Sequence, residues 1–141
     1  MNLVLDASVV VKLAVVEEGR DEVVALLADT THTIAAPDLL LVEVSNALWR
    51  KCTTGQITRE QARQAMLHSI ATFPILIPSG ELAVHALELG VQLQHPTYDC
   101  FYLACAIARS GKVVTADGRF VITAQRGGFS DRLIVLGEAS P

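Results

Sequence analysis

The sequence predicts an α/β protein built on an open parallel sheet with helices on both faces, and two observations carry that prediction. Short, apolar, β-branched runs alternate with stretches of helical periodicity, the pattern that right-handed βαβ crossovers produce. The composition agrees. Of 141 residues, 51% are hydrophobic and only 5% aromatic, so the apolar material is mostly the aliphatic kind that fills a sheet covered on both sides. This length fits a single domain, residues 1–141, around one core, and the hydrophobic content excludes intrinsic disorder.

The elements follow in order. Asn2–Leu5 (NLVL) reads as the first strand, and Arg20–Asp29 brings Val23, Val24, Leu26 and Leu27 to helical spacing. Thr33–Ala36 is the second expected strand; Asp38–Cys52 is a helix opening at a Pro-Asp pair that reads as an N-cap. Thr58–Thr72 begins with Thr58 and has Gln61 three positions on, a capping box. Ile75–Pro78 is the third strand, and helices over Ser79–Gln94 and Tyr98–Arg109 each open at a proline and a hydroxyl residue. Val113–Thr115 and Leu133–Leu136 complete the strands, and Gln125–Gly128 reads as a turn too short to cradle phosphate. No repeat, linker or low-complexity tract interrupts the pattern.

Eleven basic against fifteen acidic residues give a net charge of -4, which argues against broad attraction to nucleic acid or anionic membrane. A nucleic-acid substrate stays open, because a bound divalent cation with local Arg and Lys can hold a phosphate backbone. Cys52, Cys100 and Cys105 are odd in number and lack metal-ligand spacing, so a disulfide framework and a zinc site are not expected and a reduced, cytoplasmic setting is. The start has no basic region before its short apolar run, which Asp6 interrupts, and no run approaches the ~20 residues that span a bilayer. A soluble, unprocessed protein with no membrane association is expected.

Four acids stand out. Asp6 follows the strand NLVL and Asp117 follows VVTA, so both fall at the carboxyl edge of the sheet, where ligands bind in this architecture. Asp99 lies in the first turn of a helix that begins at the same edge. Glu43 interrupts LLLVEV; with Leu41, Val44, Leu48 and Cys52 facing the core, it shares another side with Asn46 and Arg50. Each has a structural alternative: Asp6 capping the next helix, Asp99 complementing a helix dipole, Asp117 serving an Asp-Gly turn, Glu43 half-exposed on its helix. As a set they imply mutual repulsion of about 4 kcal/mol per pair at ~4 Å and an effective dielectric of 20. A hard divalent cation such as Mg²⁺ or Mn²⁺ neutralises such a cluster, and phosphodiester hydrolysis is the chemistry it supports.

The blocks LVLDASVVVKL, PDLLLVEVSNALWR, HPTYDCFYLACAIARSG and KVVTADGRF, in that order across nearly the whole chain, resemble the PIN-domain ribonucleases, most closely the VapC-type toxins of bacterial toxin–antitoxin pairs. The resemblance implies a three-layer α/β/α sandwich with a parallel central sheet. It implies that Asp6, Glu43, Asp99 and Asp117 form the catalytic acidic set of an RNA endonuclease, with Asp6, Asp99 and Asp117 holding Mg²⁺ or Mn²⁺ and Glu43 assisting. Ser8 and Thr115 match small hydroxyl residues that support that site, and Asn46 matches an Asn commonly found after the Glu. A homodimer and a cognate antitoxin that inserts a basic residue into the acidic groove are implied as well. Cys100 stands where a small residue such as Ala is more usual, and Gly118 where a charged or polar one often follows the last acid.

Other residues carry less. Lys12, Arg50, Lys51, Arg109, Lys112 and Arg119 are candidates for steering phosphate and equally ordinary surface charges. His32, His68, His85 and His95 form no HxxxH pair and adjoin no acidic motif, so surface or capping roles are expected of them. Trp49 and Tyr102 lie in apolar helical runs and are expected in core or dimer packing rather than stacked on bases. Beside the endoribonuclease reading stands a noncatalytic module of the same fold whose acidic groove docks a basic peptide. A phosphatase is disfavoured, since DASVV lacks a second Asp two residues on.

Overall fold

The computed structural model describes residues 1–15, 17–73 and 75–137. Strands β1 (Asn2–Leu5), β2 (Thr33–Pro37), β3 (Leu76–Ile77), β4 (Lys112–Thr115) and β5 (Leu133–Val135) form one sheet in the order β3-β2-β1-β4-β5, every pairing parallel. The helices are α1 (Ala7–Ala14), α2 (Arg20–Ala28), α3 (Leu39–Thr53), α4 (Arg59–Thr72), α5 (Ala83–Leu93), α6 (Thr97–Ala108) and α7 (Gly118–Arg126). Helix α1 packs on α2, α3 and α4, which makes one layer; α5 packs on α6, and α6 lies against β1, β2 and β4 from the other face. This is the three-layer α/β/α sandwich expected of the sequence.

The central strand is the most apolar. Leu3, Val4 and Leu5 are wholly buried, each contributing about 1.5–3 kcal/mol relative to exposure. Their neighbours in register are Ile34 and Ala35 on one side and Lys112, Val113 and Val114 on the other. Gly111 lets β4 approach so closely: a Cβ there would stand 2.2 Å from the Asn2 carbonyl oxygen. From β1 the chain builds outward through β2 to β3, then returns to the opposite side of β1 for β4 and β5. The direction of winding therefore reverses at β1 and β4, and the carboxyl ends of those strands frame a crevice.

Several boundaries differ from expectation for local reasons. Helices α1 and α7 were not anticipated: three consecutive valines and a leading glycine weaken their propensity, and Asp6 and Asp117 cap them instead. Only Gly127 and Gly128 of the expected Gln125–Gly128 turn lie beyond α7. The run from Ser79 is broken into a 3-10 turn, Ser79–Glu81, and α5, which ends at Gln94 in the left-handed region (φ 53°). Asp38 occupies the N-cap position of α3 without capping it; its carboxylate binds the Ser79 backbone N–H and hydroxyl, tying α3 to the segment after β3. Leu40, rather than Leu41, joins Val44 and Leu48 in the core, and Cys52 is half-buried. Trp49 is 60% exposed, so core packing does not account for it. The Thr58–Gln61 capping box is present in both directions.

Candidate active site

Asp6 leaves β1 at the crevice and turns the chain into α1. Its Oδ1 accepts from the Ser8 hydroxyl at 2.6 Å and from the Val9 backbone N–H at 3.2 Å, so capping and placement at the crevice coincide in one residue. The Ser8 hydroxyl also accepts from the Ala116 N–H at 3.0 Å, and the Asp6 N–H donates to the Val114 carbonyl at 3.2 Å. These bonds stitch the ends of β1 and β4 together. Buried Thr115 accepts from the Asp117 N–H at 3.1 Å. Asp117 in turn accepts from the N–H groups of Arg119 (3.0 Å) and Phe120 (3.4 Å), the first turn of α7. Gly118 is the first residue of that helix, with nothing within 4 Å of where a Cβ would stand.

Glu43 and Asp99 arrive from the two helical layers. The Tyr102 hydroxyl donates to Glu43 Oε1 at 2.5 Å, a contact between residues 59 apart in the chain. His95 Nε2 lies 2.6 Å from Asp99 Oδ2, so a histidine does adjoin an acidic position, contrary to expectation. Tyr102 is buried as expected, yet its hydroxyl belongs to the site. Neither partner was legible: the pair His95 and Asp99 is interrupted by Pro96, and the pair Glu43 and Tyr102 exists only in the fold. Tyr98, 62% exposed, is a further addition at the lip.

All four acids line a single cleft of about 680 Å³, together with Ser8, Asn46, Tyr98 and Tyr102. Lys12 and Arg50 line it too, whereas Arg109 and Lys112 stand at the end of α6 and the start of β4, on the opposite edge of the sheet. Burial raises the Asp6 carboxyl to about 7, against bonds from Ser8, Thr115 and Val9 that lower it. Burial also raises Glu43, where the Tyr102 bond opposes it and the charges of Asp99 and Asp117 add to it. Asp99 is raised by burial and by Asp117, with His95 and Arg119 pulling the other way. Asp6, Glu43 and Asp99 thus each feel another acid across the cleft.

An oxygen-only donor set of this charge suits a hard cation. Among the described residues no group of three or more His, Cys, Asp or Glu side chains forms a preassembled ligand cage. Asp6, Asp99 and Asp117 line the cleft without closing on one point, and one Asp117 oxygen is engaged in capping α7. That fits an ion held through one or two carboxylates with most of its water retained, the habit of Mg²⁺. Cys52, Cys100 and Cys105 are free; burial pushes the last two thiols up to about 11, far from metal-binding character.

A family model for the PIN domain matches residues 3–125. The chain belongs to the PIN domain family. This PIN domain is similar in structure to PAE2754 from Pyrobaculum aerophilum, with a TM-score of 0.68 and 20% identity over 96% of this chain and 89% of that one. It is also similar to a chain of VapBC2 from Rickettsia felis bound to a DNA fragment from their promoter, with a TM-score of 0.65 and 18% identity over 96% of this chain and 97% of that one. At such identities the likeness concerns the fold. No curated protein sequence matches the chain. Among the described residues, no helix of this PIN domain is long and apolar enough to cross a membrane.

Proposed function

We propose that this PIN domain is a metal-dependent endoribonuclease that hydrolyses phosphodiester bonds in RNA, and that it is the toxin of a cytoplasmic toxin–antitoxin pair, acting as a homodimer. The observation that carries the reading is the meeting of Asp6, Glu43, Asp99 and Asp117 in one cleft at the sheet's carboxyl edge. PIN domains are generally nucleases, and a solved neighbour is a VapBC2 complex, which supports an antitoxin as partner.

Bound Mg²⁺ or Mn²⁺ supplies charge that polarises the phosphoryl group, lowers the pKa of a water and offsets charge on the leaving oxygen. Asp6 and Asp99 would hold it, with Asp117 reaching it through a retained water and Glu43 orienting the attacking water. Ser8 and Thr115 restrain Asp6 and the turn into α7, so the acids stay fixed as the substrate enters. Asn46 and Arg50 offer an amide and a cation at the cleft wall for the phosphate backbone. Tyr98 presents an exposed ring at the lip on which an unpaired base can stack. Incubating the protein with single-stranded RNA in Mn²⁺ tests this: cleavage that chelator and Asp6→Asn both abolish is expected, and cleavage indifferent to both contradicts it.

The lack of a preassembled three-ligand cage among the described residues favours one second reading, a noncatalytic module that docks a basic peptide in the same cleft. Tight binding of an Arg-rich peptide without any RNA cleavage in Mn²⁺ would select it.

A further inference from the structure

We propose that His95 is a positioning residue of the acid cleft: its Nε2–H fixes Asp99 Oδ2 and so reserves Oδ1 for a cation. The proposal rests on the reading that Asp99 faces such an ion. The contact is 2.6 Å long, and the His95 side chain is only 9% exposed. Among the described residues no hydrogen bond reaches the other Asp99 oxygen. His95 is held at three points, two of them on its ring. Its backbone N–H donates to the Gly90 carbonyl at 3.1 Å, its ring packs at a tilt against Phe120 with centroids 5.7 Å apart, and Nε2 meets the carboxylate. Phe120 is wholly buried in the first turn of α7, the turn Asp117 caps. His95 therefore links the start of α6, which carries Asp99, to the start of α7, which follows Asp117.

An apolar side chain would pack on Phe120 equally well; only a donor at the Nε2 position orients the carboxylate. Outer partners of ligating groups typically affect metal affinity 10- to 100-fold. Two substitutions separate the roles. His95→Phe keeps a ring against Phe120 and loses the donor, while His95→Gln loses the ring and returns an N–H near the Nε2 position.

The test is Mn²⁺ titration of the metal-depleted full chain, followed by the electron paramagnetic resonance signal of free Mn²⁺. Wild type is expected to bind, His95→Phe about 10- to 100-fold more weakly, and His95→Gln close to wild type. Wild-type affinity in His95→Phe, or no recovery in His95→Gln, overturns the positioning role while the cation reading stands. Absence of binding by wild type overturns both. If His95→Phe does not fold, the ¹⁵N spectrum of the wild-type imidazole decides: a proton on Nε2 supports the role, and a neutral ring protonated only on Nδ1 overturns it.

Discussion

Two clefts of about 680 Å³ each lie next to one another, sharing Glu17 as a wall, and volume does not distinguish them. One is lined by Gln56, Gln61, Gln64 and His68, and its charged pair, Lys51 and Glu17, is joined at 2.8 Å. The other holds Asp6, Glu43, Asp99 and Asp117, whose ordered partners are mostly neutral hydroxyl and backbone donors. Like charges left together in a partly dry crevice raise one another's pKa values and lower the stability of the unliganded fold. What marks a site here is charge that the protein itself leaves uncompensated.

The largest expected effect is on chemistry. Asp6→Asn should reduce Mn²⁺-dependent RNA cleavage on the order of 1,000-fold, the several kcal/mol that a held cation supplies. Gln64→Ala in the neighbouring cleft should leave the rate within about twofold, as surface changes away from a site do. Equal losses in both variants would erase the contrast between the clefts. Next comes substrate binding. Tyr98→Ala should weaken the affinity for single-stranded RNA by roughly 5- to 100-fold, and Tyr98→Phe should preserve it, as base stacking of about 1–3 kcal/mol requires. A fluorescence anisotropy titration reads this, and unchanged affinity in Tyr98→Ala removes the stacking role.

Stability should change in the opposite sense to activity. Asp99→Asn is expected to raise the melting temperature of the metal-free protein by roughly 2–5 °C and to diminish the rise that Mn²⁺ brings. A lowered value in the metal-free state would mean that the acids do not strain the fold. A separate effect on stability is the pH slope. Asp6 takes up its proton near 3.8 when unfolded and about 7 when folded, so the folded state binds more protons between those values. Its contribution to stability is full below pH 3.8 and is lost as pH rises through about 7. In chelator, the melting temperature should therefore fall from pH 5 to pH 8, and Asp6→Asn should flatten the fall.

How much of this was legible in the sequence depends on the range of the interaction. The strands NLVL and VVT and the helix opened by Thr58 announce themselves through local pattern and capping. Asp6 and Asp117 could be assigned to the crevice because a residue just past a parallel strand has nowhere else to go. Helix α1 escaped because Val9, Val10 and Val11 suppress helical propensity and only burial under the sheet, with the Asp6 cap, makes up for it. His95 escaped because Pro96 hides its spacing to Asp99, and Tyr102 because nothing in a run of apolar residues shows a hydroxyl aimed at Glu43 across the core. Local rules reveal where the acids sit, whereas the partners that hold them come from tertiary packing.

The most direct test is a crystal of the protein soaked in Mn²⁺ with data collected at the manganese absorption edge. The account predicts an anomalous peak in the acid cleft, with carboxylate oxygens of Asp6 or Asp99 about 2.0–2.3 Å from it and none in the glutamine-lined cleft. An empty acid cleft at saturating Mn²⁺, or a peak only elsewhere, would contradict it.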